Sequence, residues 1–406
     1  MKRIAMLFPG QGSHFRGMGK ELYEQFPVAR KVFDEANDVL GFDLAGKCFE
    51  GRISELNLSD IMTLSILTTS YASYKVWISE TGVFPEICAG HSIGEFSALT
   101  AAGVLSFEDS LRIVKLRADL AKAVADSQMG AMTIVDNFSK EQLEKLCDGL
   151  SDSEYYAEIS CVNSGKQFAV SGHQSVLMEL EKEVMKFNGN TTPLLMSPPF
   201  HCSMMTSVRE ELREKLSSCK LNSPEFSVIS DFTARPYRSE SEVPELLSLQ
   251  VCSRVRWDEE LRYIADTDVD AMIDIGPSSV VSTLIRENGN GHIPVFSFAV
   301  AGERDHIKEM CRNSFADMSN FINLCIKETI NCKNNNSNAK EYSQAVDYIN
   351  ELIQLKCTNN DTITDTVDKA LDLCSQIFEL KSLDHRVITG KVNKLRSMAE
   401  KLGNIV

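Results

Sequence analysis

The stretch Cys88-Ala89-Gly90-His91-Ser92-Ile93-Gly94-Glu95 constrains the chain most. An apolar run, Phe84-Pro85-Glu86-Ile87-Cys88-Ala89, feeds a G-x-S-x-G turn, and a helical pattern from Glu95 to Ala102 leaves it. That strand, turn and helix is the context of a nucleophile elbow. In such a turn the serine backbone is strained, and Gly90 and Gly94 let strand and helix approach while the Ser92 hydroxyl points into a cleft. The helix N-terminus and the amide after the serine then face any oxyanion formed there.

The rest of the chain supplies the scaffold such an elbow needs. Arg3 to Phe8 reads as a strand, and Pro9-Gly10-Gln11-Gly12-Ser13 turns out of it. A G-x-G-x-x-G fingerprint would need glycine where Phe15 stands, and a P-loop needs Gly-Lys-Ser/Thr, so neither phosphate cradle is present. What remains is a glycine turn carrying one amide side chain, Gln11, at the C-terminal end of a strand, where α/β sheets place functional loops. Helical patterns run from Glu21 to Leu40 and from Ser59 to Thr81. Ser106-Phe107-Glu108-Asp109 has capping-box spacing and opens a helix through Ala123. Alternating strands and helices predict an α/β, hydrolase-like core around a parallel sheet over residues 1–129 and 198–302.

Between them the rhythm changes. Strand (131–135), helix (139–147), strand (156–162), strand (167–171), helix (174–187) and strand (192–196) give the β-α-β-β-α-β order of an inserted ferredoxin-like subdomain, residues 130–197. After it come a helix from Met204 to Ser217, a strand near Phe226 to Ser230, helices from Val243 to Cys252 and Asp258 to Ala265, and strands at Ala271 to Ile275 and Pro294 to Phe298.

From Glu303 the chain reads as helices only, a C-terminal all-helical extension over 303–406. Met310, Phe315, Met318, Phe321, Ile322 and Cys325 recur at helical spacing. Further helices span Tyr342 to Lys356 and Thr364 to Leu402, the latter with a break expected near Gly390. This extension has 15 acidic and 14 basic residues, so nearly all of the net charge of −15 belongs to the first 302 residues. The acidic balance disfavours nucleic acid as a partner. The final stretch, with Lys381, Arg386, Lys391, Lys394, Arg396 and Lys401, is basic. It can pair with the acidic run from Glu341 to Glu379 or attract an acidic partner.

The 12 cysteines show no C-x-x-C pair, which suggests neither a zinc site nor a disulfide framework. No run of about 18 apolar residues occurs, and Pro9 interrupts the N-terminus too early for a signal sequence, so a cytoplasmic, non-membrane protein is expected.

A serine hydroxyl needs a base to take its proton. Of seven histidines, His14, His173, His292, His306 and His385 lie in polar or loop contexts. His91 precedes the nucleophile and must point away from it. His201 follows Pro198-Pro199-Phe200 where the inserted subdomain returns to the core, which is where a cleft forms, and it is the candidate base. Arg117 lies on an amphipathic helix among Ile113, Leu116, Leu120 and Ala123, and its periodicity alone reads as a solvated arginine.

The ordered motifs Phe8-Pro9-Gly10-Gln11-Gly12-Ser13, Gly90-His91-Ser92-Ile93-Gly94-Glu95, Lys115-Leu116-Arg117, Gly130-Ala131-Met132, Phe200-His201, Gln250 before Val255-Arg256-Trp257, and Ile275-Gly276-Pro277 resemble the malonyl-CoA:acyl carrier protein transacylase family, including free-standing enzymes that serve polyketide synthase modules. The resemblance covers about residues 1 to 300. It implies transfer of a malonyl group from malonyl-CoA to a phosphopantetheinylated acyl carrier protein, in fatty acid or polyketide biosynthesis, with no bound cofactor and no metal. It also implies roles: Ser92 acylated, His201 its base, a main-chain carbonyl near Gln250 orienting the imidazole, the amides of Gln11 and Ile93 forming the oxyanion hole, Arg117 pairing with the malonyl carboxylate, and Phe200 crowding out a 2-methyl branch. Asn163 matches a family asparagine. Thr63-Leu64 stands where the family usually has Gln-Pro, and the extension after Glu303 has no counterpart in the short stand-alone enzymes. An acyl hydrolase that clears acyl groups from carriers is the alternative on the same scaffold; it needs no carboxylate clamp.

Overall fold

The structure is a computed structural model that describes residues 3–194, 197–288, 293–315, 318–336, 338–355 and 363–399. Ten strands occur among them: β1 Ile4–Phe8, β2 Ile87–Gly90, β3 Gly130–Asp136, β4 Ala157–Val162, β5 Gln167–His173, β6 Asn190–Pro193, β7 Ser227–Ser230, β8 Arg235–Pro236, β9 Ala271–Asp274 and β10 Val295–Ser297. They form two sheets. The larger has the order β10-β9-β1-β2-β7-β8 and is parallel except for the short antiparallel β8 at its edge. Every residue of β1, β2 and β9 is buried, as continuous apolar strands covered on both faces must be.

The register of this sheet positions the site. Phe8 pairs with Gly90, so the loop after β1, which carries Gln11, and the turn after β2, which carries Ser92, leave the sheet side by side. Gly94 makes the approach possible: a Cβ there would lie 2.1 Å from the Phe8 carbonyl oxygen.

The second sheet has the antiparallel order β4-β5-β3-β6, with helices Lys140–Leu150 and Gln174–Lys186 packed against it through Leu143, Phe168, Val170, Leu177, Leu180 and Val184. This is the ferredoxin-like arrangement that the element order predicts. Its last strand ends at Pro193, earlier than the predicted 192–196, of which Leu195 and Met196 lie outside the described residues. Val162 N–H donates to the Val255 carbonyl and Val255 N–H to the Ser160 carbonyl, at 3.0 and 2.9 Å, which stitches the edge of this sheet to the segment that follows Gln250.

Several boundaries differ from expectation. The helix expected from Glu21 to Leu40 is two, Lys20–Gln25 and Pro27–Leu40, because Pro27 lacks the N–H that would continue the first and suits the first position of the second. Leu44–Glu50, Ile53–Leu56 and Val280–Asn288 are helices the sequence reading missed. The long helix expected from Thr364 breaks before Gly390. Ser382 takes a left-handed φ of 56°, its N–H bonding the Glu379 carbonyl and that of Leu383 the Phe378 carbonyl, a helix-ending motif. Gly390 sits inside the next helix, His385–Ala399, where glycine is tolerated at about 1 kcal/mol.

The chain divides into two compact units, one of residues 3–80 and 84–305, the other of 81–83 and the described residues from 306 onward. In the second, helices Met318–Asn331, Ala339–Gln354, Ile363–Leu380 and His385–Ala399 bury Phe321, Leu352, Cys374, Phe378 and Leu395. Of the apolar stripe predicted there, the side chains of Phe315 and Met318 lie outside the described residues. Among the described residues no helix is long and apolar enough to cross a membrane.

Candidate active site

Ser92 ends the turn after β2 and immediately precedes the helix Ile93–Ala101. Its backbone has φ 54° and ψ −109°, outside the regions a residue with a Cβ ordinarily occupies, as the elbow demands. Ser92 Oγ lies 2.6 Å from His201 Nε2. His201 is brought there by its own backbone, also left-handed at φ 65°, whose N–H donates to the Val251 carbonyl at 2.9 Å. The preceding carbonyl, of Phe200, accepts from Ser171 Oγ on β5 at 2.7 Å, which ties the histidine loop to the inserted subdomain.

His201 Nδ1 lies 2.8 Å from the Gln250 carbonyl oxygen. A carbonyl can only accept, so the proton is on Nδ1 and the Nε2 lone pair of a neutral ring faces Ser92. Burial first, then the charge of Arg117, lowers the imidazole pKa to about 3, which keeps the ring neutral and able to take a proton.

Arg117 projects from the helix Phe107–Gln128 and is 1% exposed, although periodicity alone reads it as solvated. The helical step that places Ile113 and Ala121 in the core also carries residue 117 inward, and that spacing was the signal for its burial. The guanidinium lies 4.0 Å from the Phe200 ring centroid, and Nη2 donates to Ser92 Oγ at 3.3 Å. Its Nε meets no acceptor among the described residues. Burial pushes its pKa down to about 10, which still leaves a cation with no carboxylate in hydrogen-bond contact among the described residues.

Gln11 and Ile93 lie just beyond the paired ends of β1 and β2. The Gln11 side chain accepts from Ser197 Oγ at 3.2 Å. Ser197 also lines a cavity of about 740 Å³ with Met132, Leu194, Pro198, Ala118 and Leu177, between the Arg117 helix and the inserted subdomain. His91 faces away from Ser92: Nε2 meets Asn163 Oδ1 at 2.8 Å, and the ring packs edge-on against Trp257. Thr63 spends its hydroxyl on the Ser59 carbonyl of its own helix, at 2.8 Å.

Sequence reasoning missed a polar cluster beneath the serine. Ser92 N–H donates to Asp231 Oδ2 at 2.7 Å. Gln250, expected to act through its carbonyl, also uses its side chain: Nε2 reaches the Ser92 carbonyl (2.8 Å), Glu95 Oε2 (2.8 Å) and Asp231 Oδ2 (3.1 Å). Tyr237 donates its hydroxyl to Glu95 Oε1, and Glu260 adjoins Asp231. Glu95, Asp231 and Glu260 are wholly buried. The available signals were Glu95 as the one ionisable residue of its helix and Asp231 directly after a buried strand; Glu260 was hidden in the acidic run Asp258-Glu259-Glu260.

An acyl transferase domain matches residues 5–318. A malonyl CoA-acyl carrier protein transacylase of Bacillus subtilis is 33% identical over 362 residues, spanning 87% of this chain and 89% of its own length, so that likeness runs into the helical extension. The transacylase of Escherichia coli K12 is 29% identical over 288 residues, 70% of this chain and 93% of its own. Among solved structures, FabD from Acinetobacter baumannii superposes with a TM-score of 0.72 at 28% identity, over 76% of this chain and 98% of that one. A malonyl-transacylase in complex with a type II polyketide synthase acyl-carrier protein gives 0.72 at 29% identity, over 76% and 99%.

Proposed function

Because the chain belongs to the acyl transferase family, we propose that it moves a malonyl group from malonyl-CoA to the phosphopantetheine thiol of an acyl carrier protein through an ester on Ser92. The observation that carries this reading is the buried Arg117 guanidinium, with no carboxylate in hydrogen-bond contact among the described residues, within hydrogen-bond distance of the hydroxyl that would be acylated. His201 Nε2 takes the Ser92 proton as Oγ attacks the thioester carbonyl. The negative oxygen is held by the amides of Gln11 and Ile93, each such donor being worth about 3 to 4 kcal/mol in the transition state. The carbon–sulfur bond breaks, and His201 returns the proton to the departing coenzyme A thiolate. The carrier thiol then enters, gives its proton to His201, attacks the ester, and Ser92 leaves with that proton.

Arg117 pairs with the free carboxylate of the malonyl group, and the Phe200 ring stacked on it closes the space a 2-methyl branch would need. The cavity of about 740 Å³ has the size to take a pantetheine arm. An acyl hydrolase has no use for a buried cation beside its nucleophile. All of these residues fall within the core limits 1–129 and 198–302, with 130–197 as the inserted subdomain and 303–406 as the extension.

Incubation with malonyl-CoA, acetyl-CoA and methylmalonyl-CoA, followed by intact-protein mass, tests the reading. A malonyl adduct on the wild type and none on Ser92→Ala is the expected result. A malonyl adduct on Ser92→Ala would overturn it.

A further inference from the structure

The conformation of Ser92 has to be held. A residue with a Cβ at positive φ is strained by about 1–3 kcal/mol and persists only where its surroundings fix it. Here both main-chain polar groups of Ser92 meet buried side chains: the N–H meets Asp231 Oδ2 at 2.7 Å, and the carbonyl meets Gln250 Nε2 at 2.8 Å. Asp231 and Gln250 are joined in turn at 3.1 Å, and the Gln250 main chain carries His201.

We propose that Asp231 is a positioning residue: by accepting the Ser92 N–H it fixes the left-handed turn that keeps Oγ on His201 Nε2. This rests on Ser92 being the residue acylated.

The chemistry of Asp231 supports a positional role. Neither Asp231 Oδ1 nor either Glu260 oxygen has a hydrogen-bond partner among the described residues. Burial above all, and then the neighbouring Glu260 and Glu95, holds Asp231 well above the usual carboxylate range. What Asp231 provides is an acceptor fixed under one peptide N–H.

The test compares Asp231→Leu with Asp231→Asn by single-turnover acylation from malonyl-CoA, read by rapid quench and intact mass. Leucine removes the acceptor. It should slow ester formation about tenfold to hundredfold, the cost of ångström-scale misplacement of a reacting group, with KM for malonyl-CoA within about twofold of wild type. Asparagine should restore most of the rate, because its oxygen still accepts the Ser92 N–H. Asp231→Ala, which adds no bulk, carries the same expectation as leucine should the leucine variant fail to fold. A folded leucine or alanine variant with the wild-type rate, or a folded asparagine variant as slow as leucine, overturns the proposal. Failure of the Ser92 reading shows separately, as an ester on Ser92→Ala or none on the wild type.

Discussion

Arg117 donates from Nη2 to the Ser92 hydroxyl oxygen over 3.3 Å, and that oxygen lies 2.6 Å from His201 Nε2. A cation and a base thus meet at one atom. The cation opposes protonation of the histidine, and a carboxylate entering beside Arg117 would cancel part of that opposition as it binds. On the proposed reading, substrate recognition and base strength are coupled through the same guanidinium.

Arg117→Ala is therefore expected to change selectivity and not merely rate. Loss of one partner of a buried, hydrogen-bonded charge pair costs about 2–5 kcal/mol, so malonyl transfer should fall by about two orders of magnitude. Acetyl loading should hold or rise, since an apolar acyl group no longer leaves a buried cation unpaired. Parallel loss of both in a folded variant would make Arg117 structural and favour the hydrolase.

The pH profile follows from His201. Its pKa is lowered to about 3, by burial and then by Arg117, so the neutral base is present above that value and is lost only as pH falls through it. The acid limb of kcat/KM for acylation, which reports the free enzyme, should lie far below the ordinary histidine range. In kcat, with a malonyl carboxylate on Arg117, the limb should move to higher pH, and with acetyl-CoA it should not. A kcat/KM limb near pH 6.5, the ordinary histidine value, would show an imidazole that titrates as if solvated.

Gly94→Ala should damage the site from within the fold. The added Cβ would lie 2.1 Å from the Phe8 carbonyl oxygen and 3.0 Å from that of Pro9, backbone atoms that cannot swing aside, so the Gln11 loop must part from the elbow. We expect a loss of about 1–3 kcal/mol, as for other overpacked sites, together with slower ester formation. Gly149→Ala, where nothing lies within 4 Å, is the control and should melt no lower than wild type. Equal melting temperatures for Gly94→Ala and wild type would contradict the close approach.

What the sequence made legible was local. The elbow is readable because Gly90, Ser92 and Gly94 act within five residues, and the two sheets because their strands are short apolar runs with turns between them. The clamp was half readable: Arg117 shares a helix face with Ile113 and Ala121, but its nearness to Ser92 depends on how the helix packs. The Asp231 contact joins residues 139 apart and has no periodic trace, since a single carboxylate after a strand also suits a solvated turn. Helices such as Ile53–Leu56, of 4 residues, are too short to show a period. At Ser382 the helix end is made by backbone hydrogen bonds that Gly390, the stronger sequence signal, does not reveal.

The basic end of the chain admits two roles, pairing with the acidic run from Glu341 to Glu379 or attraction of an acidic carrier protein; the structure gives it internal partners, of which only Asp368 belongs to that run. Lys381 Nζ donates to the carbonyls of Thr329, Ile330 and Cys332, satisfying the end of the helix Met318–Asn331. Lys391 and Lys394 both lie within 4 Å of Glu328, at 3.4 and 3.7 Å, and Arg396 pairs with Asp368 at 3.3 Å. These cations already have internal partners, which weakens the field they could present to an acidic partner. Truncation after Asp305, where the second unit begins, should therefore leave ester formation from malonyl-CoA intact, because each candidate site residue lies between Gln11 and Glu260. It should also leave KM for the carrier within about twofold of wild type at low salt, where the Debye length is longest and any steering by charge is strongest. A carrier KM that rises on truncation at 10 mM salt, with the difference vanishing near 0.5 M, would instead assign docking to the extension, since only exposed charges are screened that way.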